Sequence, residues 1–334
     1  MELLSFLDMV GHTPTVNICM HGFDMIKLRA KLESCNPTGS VKDRAADYLT
    51  RNLLKTGVIN QETTIIESSS GNFGVALAAY CKRSNLKFIC VADPNISPAN
   101  EMLIKLYGAE IISVTEPDEN GGYLINRIKK VKEIVRQTDN IYWINQYENL
   151  LNAEAYYSSI GQEICAENEN PDYIFIGVSS GGTITGISKK VKEKFPGIRV
   201  IGVDIYGSVI FGNPPHKRNI SGIGSSIVPK ILEHAKIDEV VIVDEVTSAD
   251  MCRELLHDYS LFVGGSSGAV YAAIKKYFSN NIPDHPVNVL AIFPDSGWKY
   301  LNTIYNDNWS CLTVNNQVNL NIPEDVVFNA LDLK

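Results

Sequence analysis

Short apolar runs alternate with helical patterns along nearly all of this 334-residue chain, and that alternation leaves few folds open. The runs predict strands at 26–33, 63–66, 87–92, 111–114, 173–178, 200–203, 240–243 and 287–293. Amphipathic stretches at 75–83, 122–135, 183–194 and 248–257 predict helices between them, and an Ala-rich stretch after residue 42 predicts another. Such a pattern calls for an α/β architecture, with largely parallel sheets covered by helices on both faces. There is no internal repeat or low-complexity linker. A polar, Asn/Glu-rich stretch at 146–153 marks a crossing between two α/β units.

The bulk chemistry narrows the class of partner. A length of 334 residues suits two domains. The formal charge of −8 and the lack of a long basic run disfavour nucleic acid. The opening residues Met1 to Ser5 lack the basic region of a secretory signal, and no apolar run reaches the length of a membrane span. Cys19, Cys35, Cys81, Cys90, Cys165, Cys252 and Cys311 are scattered and form no C-x-x-C pair. Reduced thiols in a cytoplasmic protein are therefore expected, without a zinc site or disulfide framework. The six histidines supply no metal pair either, and His234 and His257 read as surface groups on helices.

Chemistry concentrates at strand-to-helix junctions. In Asn36-Pro37-Thr38-Gly39-Ser40-Val41-Lys42-Asp43-Arg44, a lysine stands at the mouth of a helix. Backbone N–H groups and the positive end of the dipole there lower an amine's pKa, which suits a Schiff-base lysine. Alone this is weak, because most lysines are solvated surface charges. Three glycine-rich loops strengthen it. Glu67-Ser68-Ser69-Ser70-Gly71-Asn72-Phe73-Gly74 offers a nest for a carboxylate or phosphate, or simply a capped turn. Ser179-Ser180-Gly181-Gly182-Thr183 is the strongest phosphate cradle, without a P-loop lysine or dinucleotide spacing. Gly264-Gly265-Ser266-Ser267-Gly268-Ala269 repeats the chemistry, and Phe293-Pro294-Asp295-Ser296-Gly297 ends the last strong strand. All would lie at the carboxyl ends of parallel strands, where α/β sheets bind ligands.

These motifs, in this order from about Thr13 to Leu301, resemble the β-family of pyridoxal-phosphate enzymes, which includes cysteine synthases and cystathionine β-synthases. The resemblance implies the fold-type-II architecture: a smaller mobile domain at 43–147 and a larger cofactor-binding domain from 1–42 plus 148–334. It implies a homodimer acting on small amino-acid substrates with pyridoxal 5'-phosphate. Lys42 would then be the Schiff-base lysine and α-proton base, Asn72 would bond the ring hydroxyl, Ser179 to Thr183 would cradle the phosphate, and Ser296 would face the pyridine nitrogen. Ser69, Ser70 and Gln146 would take the substrate α-carboxylate, with Gly71 in the same loop. A serine at the ring nitrogen makes a weaker electron sink than a carboxylate would, which suits loss of a good leaving group from Cβ.

Other segments narrow the resemblance. Gly121 to Arg127, Trp143 to Tyr147 and Gly207 to Gly212 look like a branch of siderophore-pathway synthases that join O-phosphoserine to glutamate. Phe73 stands where the family usually has threonine, which either reshapes the donor pocket or repacks its wall. At about 100° per residue, Arg127 falls within roughly 60° of the apolar stripe of Leu124, Ile128, Val131 and Val135. An arginine so placed needs an anion: a structural carboxylate, a phosphate leaving group or the γ-carboxylate of glutamate. Tyr147 would either add a hydroxyl beside it or pack as core. The competing expectations are a cysteine synthase, a cysteine lyase releasing sulfide, and a non-catalytic cofactor-binding scaffold.

Overall fold

The computed structural model of the chain describes residues 5–118, 121–167, 169–309 and 327–329; Cys311 and the first four residues lie outside them. With strands numbered along the chain, the larger sheet holds β1 (Thr15–Ile18), β2 (Ile26–Leu32), β7 (Tyr173–Gly177), β8 (Arg199–Ile205), β9 (Glu239–Val243), β10 (Val287–Phe293) and β11 (Val327–Asn329). Their order is β1-β2-β10-β7-β8-β9-β11, antiparallel at the two edges and parallel inside. The smaller sheet is wholly parallel, in the order β5-β4-β3-β6, from β3 (Thr64–Ser68), β4 (Lys87–Ala92), β5 (Glu110–Ser113) and β6 (Ile141–Trp143). All eight expected strands are present. The additional β1, β6 and β11 are three or four residues long, too short to carry a period of their own.

The helices are α1 (Lys42–Lys55), α2 (Asn72–Arg83), α3 (Pro98–Leu106), α4 (Leu124–Gln137), α5 (Leu150–Ser158), α6 (Ile160–Ala166), α7 (Gly182–Lys194), α8 (Glu245–Tyr259) and α9 (Gly265–Asn280). The polar crossing segment expected at 146–153 is partly helical, because Asn149 caps α5 by accepting from the Leu151 N–H at 3.0 Å. One apolar core runs from α1 and α2 through α5 and α7 to Ile174 and Leu290 of the larger sheet. A second lies under α8 and α9. At Gly186 of α7 a Cβ would sit 2.2 Å from the Ala153 carbonyl, so glycine sets how closely α5 and α7 approach. His234 and His257 are exposed. No helix among the described residues is long and apolar enough to cross a membrane.

What fixes the start of α1 is charge. Arg44, two residues past Lys42, is fully buried and makes paired bonds to Glu33 (2.6 and 2.8 Å) and to Glu163 of α6 (2.6 and 2.9 Å). Thr13 donates to the same Glu33 carboxylate at 2.6 Å, and Lys31 lies 3.2 Å from Glu163. Burial alone would raise the Glu163 carboxyl, but the Arg44 bonds and charge outweigh it and hold it down to about 2.

Removing the guanidinium strands two carboxylates in the interior. Arg44→Met is expected to lower unfolding free energy by about 3–5 kcal/mol, read as the midpoint in urea. The Glu163 contribution is present above pH 4.5 and lost as pH falls towards 2, so the acid limb of the wild-type stability curve should be steeper than that of the variant.

Candidate active site

Lys42 opens α1 and is half-buried. Burial pushes its amine down to about 8, against the opposing pull of the Asp295 carboxylate. The sequence argument expected a lowered pKa from the helix terminus; the dominant cause is desolvation. The preceding residues are tied to the end of β10, where the Val41 N–H donates to the Pro294 carbonyl at 2.8 Å and Ser40 bridges Asp295. Ser296 therefore lies within a few residues of the lysine's own anchor.

Asp295 is a site residue that pattern reading missed. It is buried and accepts from Asn72 Nδ2 at 2.7 Å and from the Tyr300 hydroxyl at 3.0 Å, while its other oxygen is buried without a hydrogen bond. Burial raises its carboxyl, and Lys299, Asn72, Tyr300 and Lys42 all oppose that rise. Lys299 donates to Asn72 Oδ1. The Asn72 amide is thus held by a cation on one side and a carboxylate on the other.

At the phosphate-cradle candidate, Gly181 has φ of 86°, a conformation that favours glycine. Among the described residues no acceptor takes the N–H groups of Ser179, Ser180 or Gly181. They stand at the N-terminus of α7, the arrangement that binds an anion. Lys42 Nζ lies 5.8 Å from the centre of the Tyr156 ring, and Thr183 stands beside the Tyr156 hydroxyl. Asn152, also absent from the sequence reading, donates to the Gln146 carbonyl at 2.8 Å and packs against Gly182. It joins the cradle to the smaller sheet.

The asparagine loop forms the opposite wall. Ser69 Oγ caps α2, accepting from the N–H groups of Gly74 (3.0 Å) and Gly71 (3.3 Å). The Ser70, Asn72 and Phe73 N–H groups have no acceptor among the described residues, and a Cβ at Gly71 would meet nothing within 4 Å. Gln146 donates to the Ser68 carbonyl at 3.1 Å, so its amide braces the loop from below. Beneath both, Glu67 is wholly buried, and desolvation raises its carboxyl to about 7 against the bonds from Ser68 and Gln146.

Other expected substrate residues also make contacts within the protein. Arg127 is buried as its helix face required, but its Nε lies 3.2 Å from Asp93 and its Nη1 donates to Ser70 Oγ at 2.7 Å. Ser70 in turn donates to Asp93 at 2.7 Å. Of the three anions weighed for Arg127, the structural carboxylate is met by Asp93. Phe73 is buried in the first core. Tyr147 is buried, and burial raises its hydroxyl to about 12 against the nearby charge of Arg127. No group of three or more potential metal ligands occurs among the described residues.

The residues fit pyridoxal phosphate: an unpartnered N–H cradle suits a phosphate, Lys42 is a desolvated amine, and Asp295, bonded to Asn72, keeps one buried oxygen without a partner. Comparison with known proteins agrees. The family model described as "Pyridoxal-phosphate dependent enzyme" matches residues 7–295. A curated relative, N-(2-amino-2-carboxyethyl)-L-glutamate synthase of Cupriavidus metallidurans, is 44% identical over 308 residues, covering 91% of this chain and 90% of its own. Among solved structures, an O-acetylserine dependent cystathionine β-synthase from Helicobacter pylori matches with a TM-score of 0.85 at 35% identity, covering 92% of this chain and 100% of that one. A hydrogen sulfide-producing enzyme from Fusobacterium nucleatum matches at 0.83 and 29% identity, covering 90% and 100%.

The pKa shifts give two tests. Unprotonated Lys42 accumulates as pH rises through about 8, so the rate at which cofactor-free protein takes up pyridoxal phosphate should climb to a plateau above that pH; stopped-flow absorbance reads it. The raised Glu67 carboxyl contributes stability that is complete below pH 4.5 and lost as pH rises through 7. Thermal melts from pH 4.5 to 8 should therefore fall more for wild type than for Glu67→Gln.

Proposed function

The chain belongs to the pyridoxal-phosphate-dependent enzyme family, and from that premise we propose that it performs β-replacement on O-phospho-L-serine with the amine of L-glutamate, giving N-(2-amino-2-carboxyethyl)-L-glutamate. The observation that carries this reading is the 44% identity, over nine-tenths of both chains, to the relative of that name. A siderophore or other pathway that consumes 2,3-diaminopropionate is the natural setting for such a product.

When bound, the cofactor supplies an electron sink for the substrate's α-carbon. The chain's residues supply the rest. Ser179, Ser180 and Gly181 N–H groups, with Gly182 and Thr183 opening α7, hold the phosphate. Asn72, fixed between Lys299 and Asp295, would present its amide to the ring hydroxyl, and Ser296 would face the ring nitrogen. The Ser70, Asn72 and Phe73 N–H groups take the substrate α-carboxylate. Lys42, with its amine already near 8, anchors the cofactor and then receives the Cα proton on Nζ. Residues 43–147 close over this site and exclude water while the nucleophile adds at Cβ. We further read the protein as a cytoplasmic homodimer; the six described cysteines, all unpaired, suit a reducing compartment.

The sulfur-handling neighbours favour a second reading, in which sulfide or a thiol is the nucleophile. Purified enzyme offered O-phosphoserine or O-acetylserine, each with glutamate or sulfide, separates them. The glutamate adduct from O-phosphoserine is the expected product by mass spectrometry. Efficient cysteine formation with no adduct would overturn the first reading. Lys42→Ala should abolish both turnover and the visible absorbance of lysine-bound cofactor.

A further inference from the structure

Every arginine among the described residues that is not exposed to solvent has a carboxylate within 4 Å, with one exception. Arg29, Arg44, Arg83, Arg127 and Arg253 are paired. Arg218 is not. Its Nη2 donates to Ser226 Oγ at 3.0 Å, and its Nη1 is buried with no hydrogen-bond partner. The carboxylates whose fields reach it, Asp204 and Glu245, both lie more than 4 Å away; Asp204 Oδ1 accepts from the Ile205 N–H and its Oδ2 is buried without a partner. Glu245 accepts from the Asn219 and Ile220 N–H groups and the Asn219 amide, and Asp204 is buried with its carboxyl raised to about 7 by desolvation. A half-buried guanidinium so placed is a positive charge with no carboxylate within 4 Å among the described residues.

Its position relates it to the active site. The guanidinium packs on Gly224, where a Cβ would lie 2.4 Å from Nη1. Gly224 is stitched to the start of the phosphate cradle: its N–H donates to the Val178 carbonyl at 2.7 Å, and Ser179 Oγ donates to its carbonyl at 3.1 Å. A Cβ at Gly122, ahead of α4, would lie 3.3 Å from the same Ser226 Oγ that Arg218 holds. Tyr147 feels the charges of both Arg218 and Arg127. Arg218 thus sits where the segments carrying the smaller and larger sheets face each other, beside the cradle and within electrostatic reach of Tyr147.

We infer that Arg218 is the anion anchor that selects an acidic substrate at this site, its unpartnered Nη1 receiving an oxygen of the ligand. The inference rests on the β-replacement reading and deepens it. The shared chemistry is a carboxylate or phosphate oxygen, which comes either from the distal carboxylate of the incoming amino acid or from the leaving group of the donor. Arg127, with Asp93 already beside it, holds the α-carboxylate loop in shape through Ser70.

The test uses holoenzyme of wild type, Arg218→Gln and Arg218→Lys. Calorimetric titration with glutarate and with inorganic phosphate needs no turnover, so it stands even if the nucleophile is misassigned. At least one anion should bind wild type and lose affinity about ten- to a hundredfold in Arg218→Gln, the loss expected for a charge-assisted bond. Arg218→Lys should retain part of it. In steady-state assays a matching rise in the KM of glutamate, with that of O-phosphoserine unchanged, places the acceptor carboxylate on Arg218; the reverse places the donor phosphate there. Equal anion affinity and equal KM values in wild type and Arg218→Gln would overturn the inference. Should Arg218→Gln fail to fold, Ser226→Ala decides. It keeps the charge and frees its orientation, and a several-fold weaker anion affinity is expected, whereas no change would refute the anchor.

Discussion

The buried guanidinium of Arg44 is the interaction on which the rest of the site depends. Its two carboxylate partners come from the end of the β2 segment and from α6, so one side chain clamps α1 to the larger sheet and to a helix on its face. An apolar clamp would resist sliding less, because hydrophobic contact is non-directional while paired guanidinium–carboxylate bonds have one geometry. Lys42 is two residues away on the same helix, and its direction is inherited from that geometry. Burial of the charges is costly in itself, which makes specificity of placement the natural return for keeping them.

Parallel topology then does for the loops what Arg44 does for the lysine. Strands β3 and β7 end at the asparagine loop and the phosphate cradle, and β10 ends at Asp295. Because they run in the same sense within their sheets, their carboxyl ends deliver one loop each to a common place. The side chains between the loops finish the alignment: Asn152 joins Gln146 to Gly182, and Asp295 joins Asn72 to Tyr300.

Much of this was legible in the residues. The strand–helix alternation located every long strand, and the glycine- and serine-rich junctions marked the loops, because tight turns and close backbone approach need those residues locally. Arg127 was correctly placed on a packed face by helical periodicity, but its partner was invisible: Asp93 lies beyond β4, on a separate element. The same holds for Asp295 and Lys299, which meet Asn72 across 223 and 227 residues. Arg218 lies in an irregular loop with no period from which burial could be inferred. A guanidinium with no carboxylate within 4 Å among the described residues is recognised only once those carboxylates have been placed.

The zipping of Ser40 and Val41 onto Pro294 and Asp295 has a consequence for how the site comes into being during synthesis. The lysine emerges long before the segment that seats it and the carboxylate that steadies Asn72. Until β10 slots between β2 and β7, an interior position of the larger sheet is open and Lys42 has no seat. Capture of the cofactor therefore belongs to the finished chain, and fragments ending before residue 287 would carry every glycine-rich loop without the assembled site.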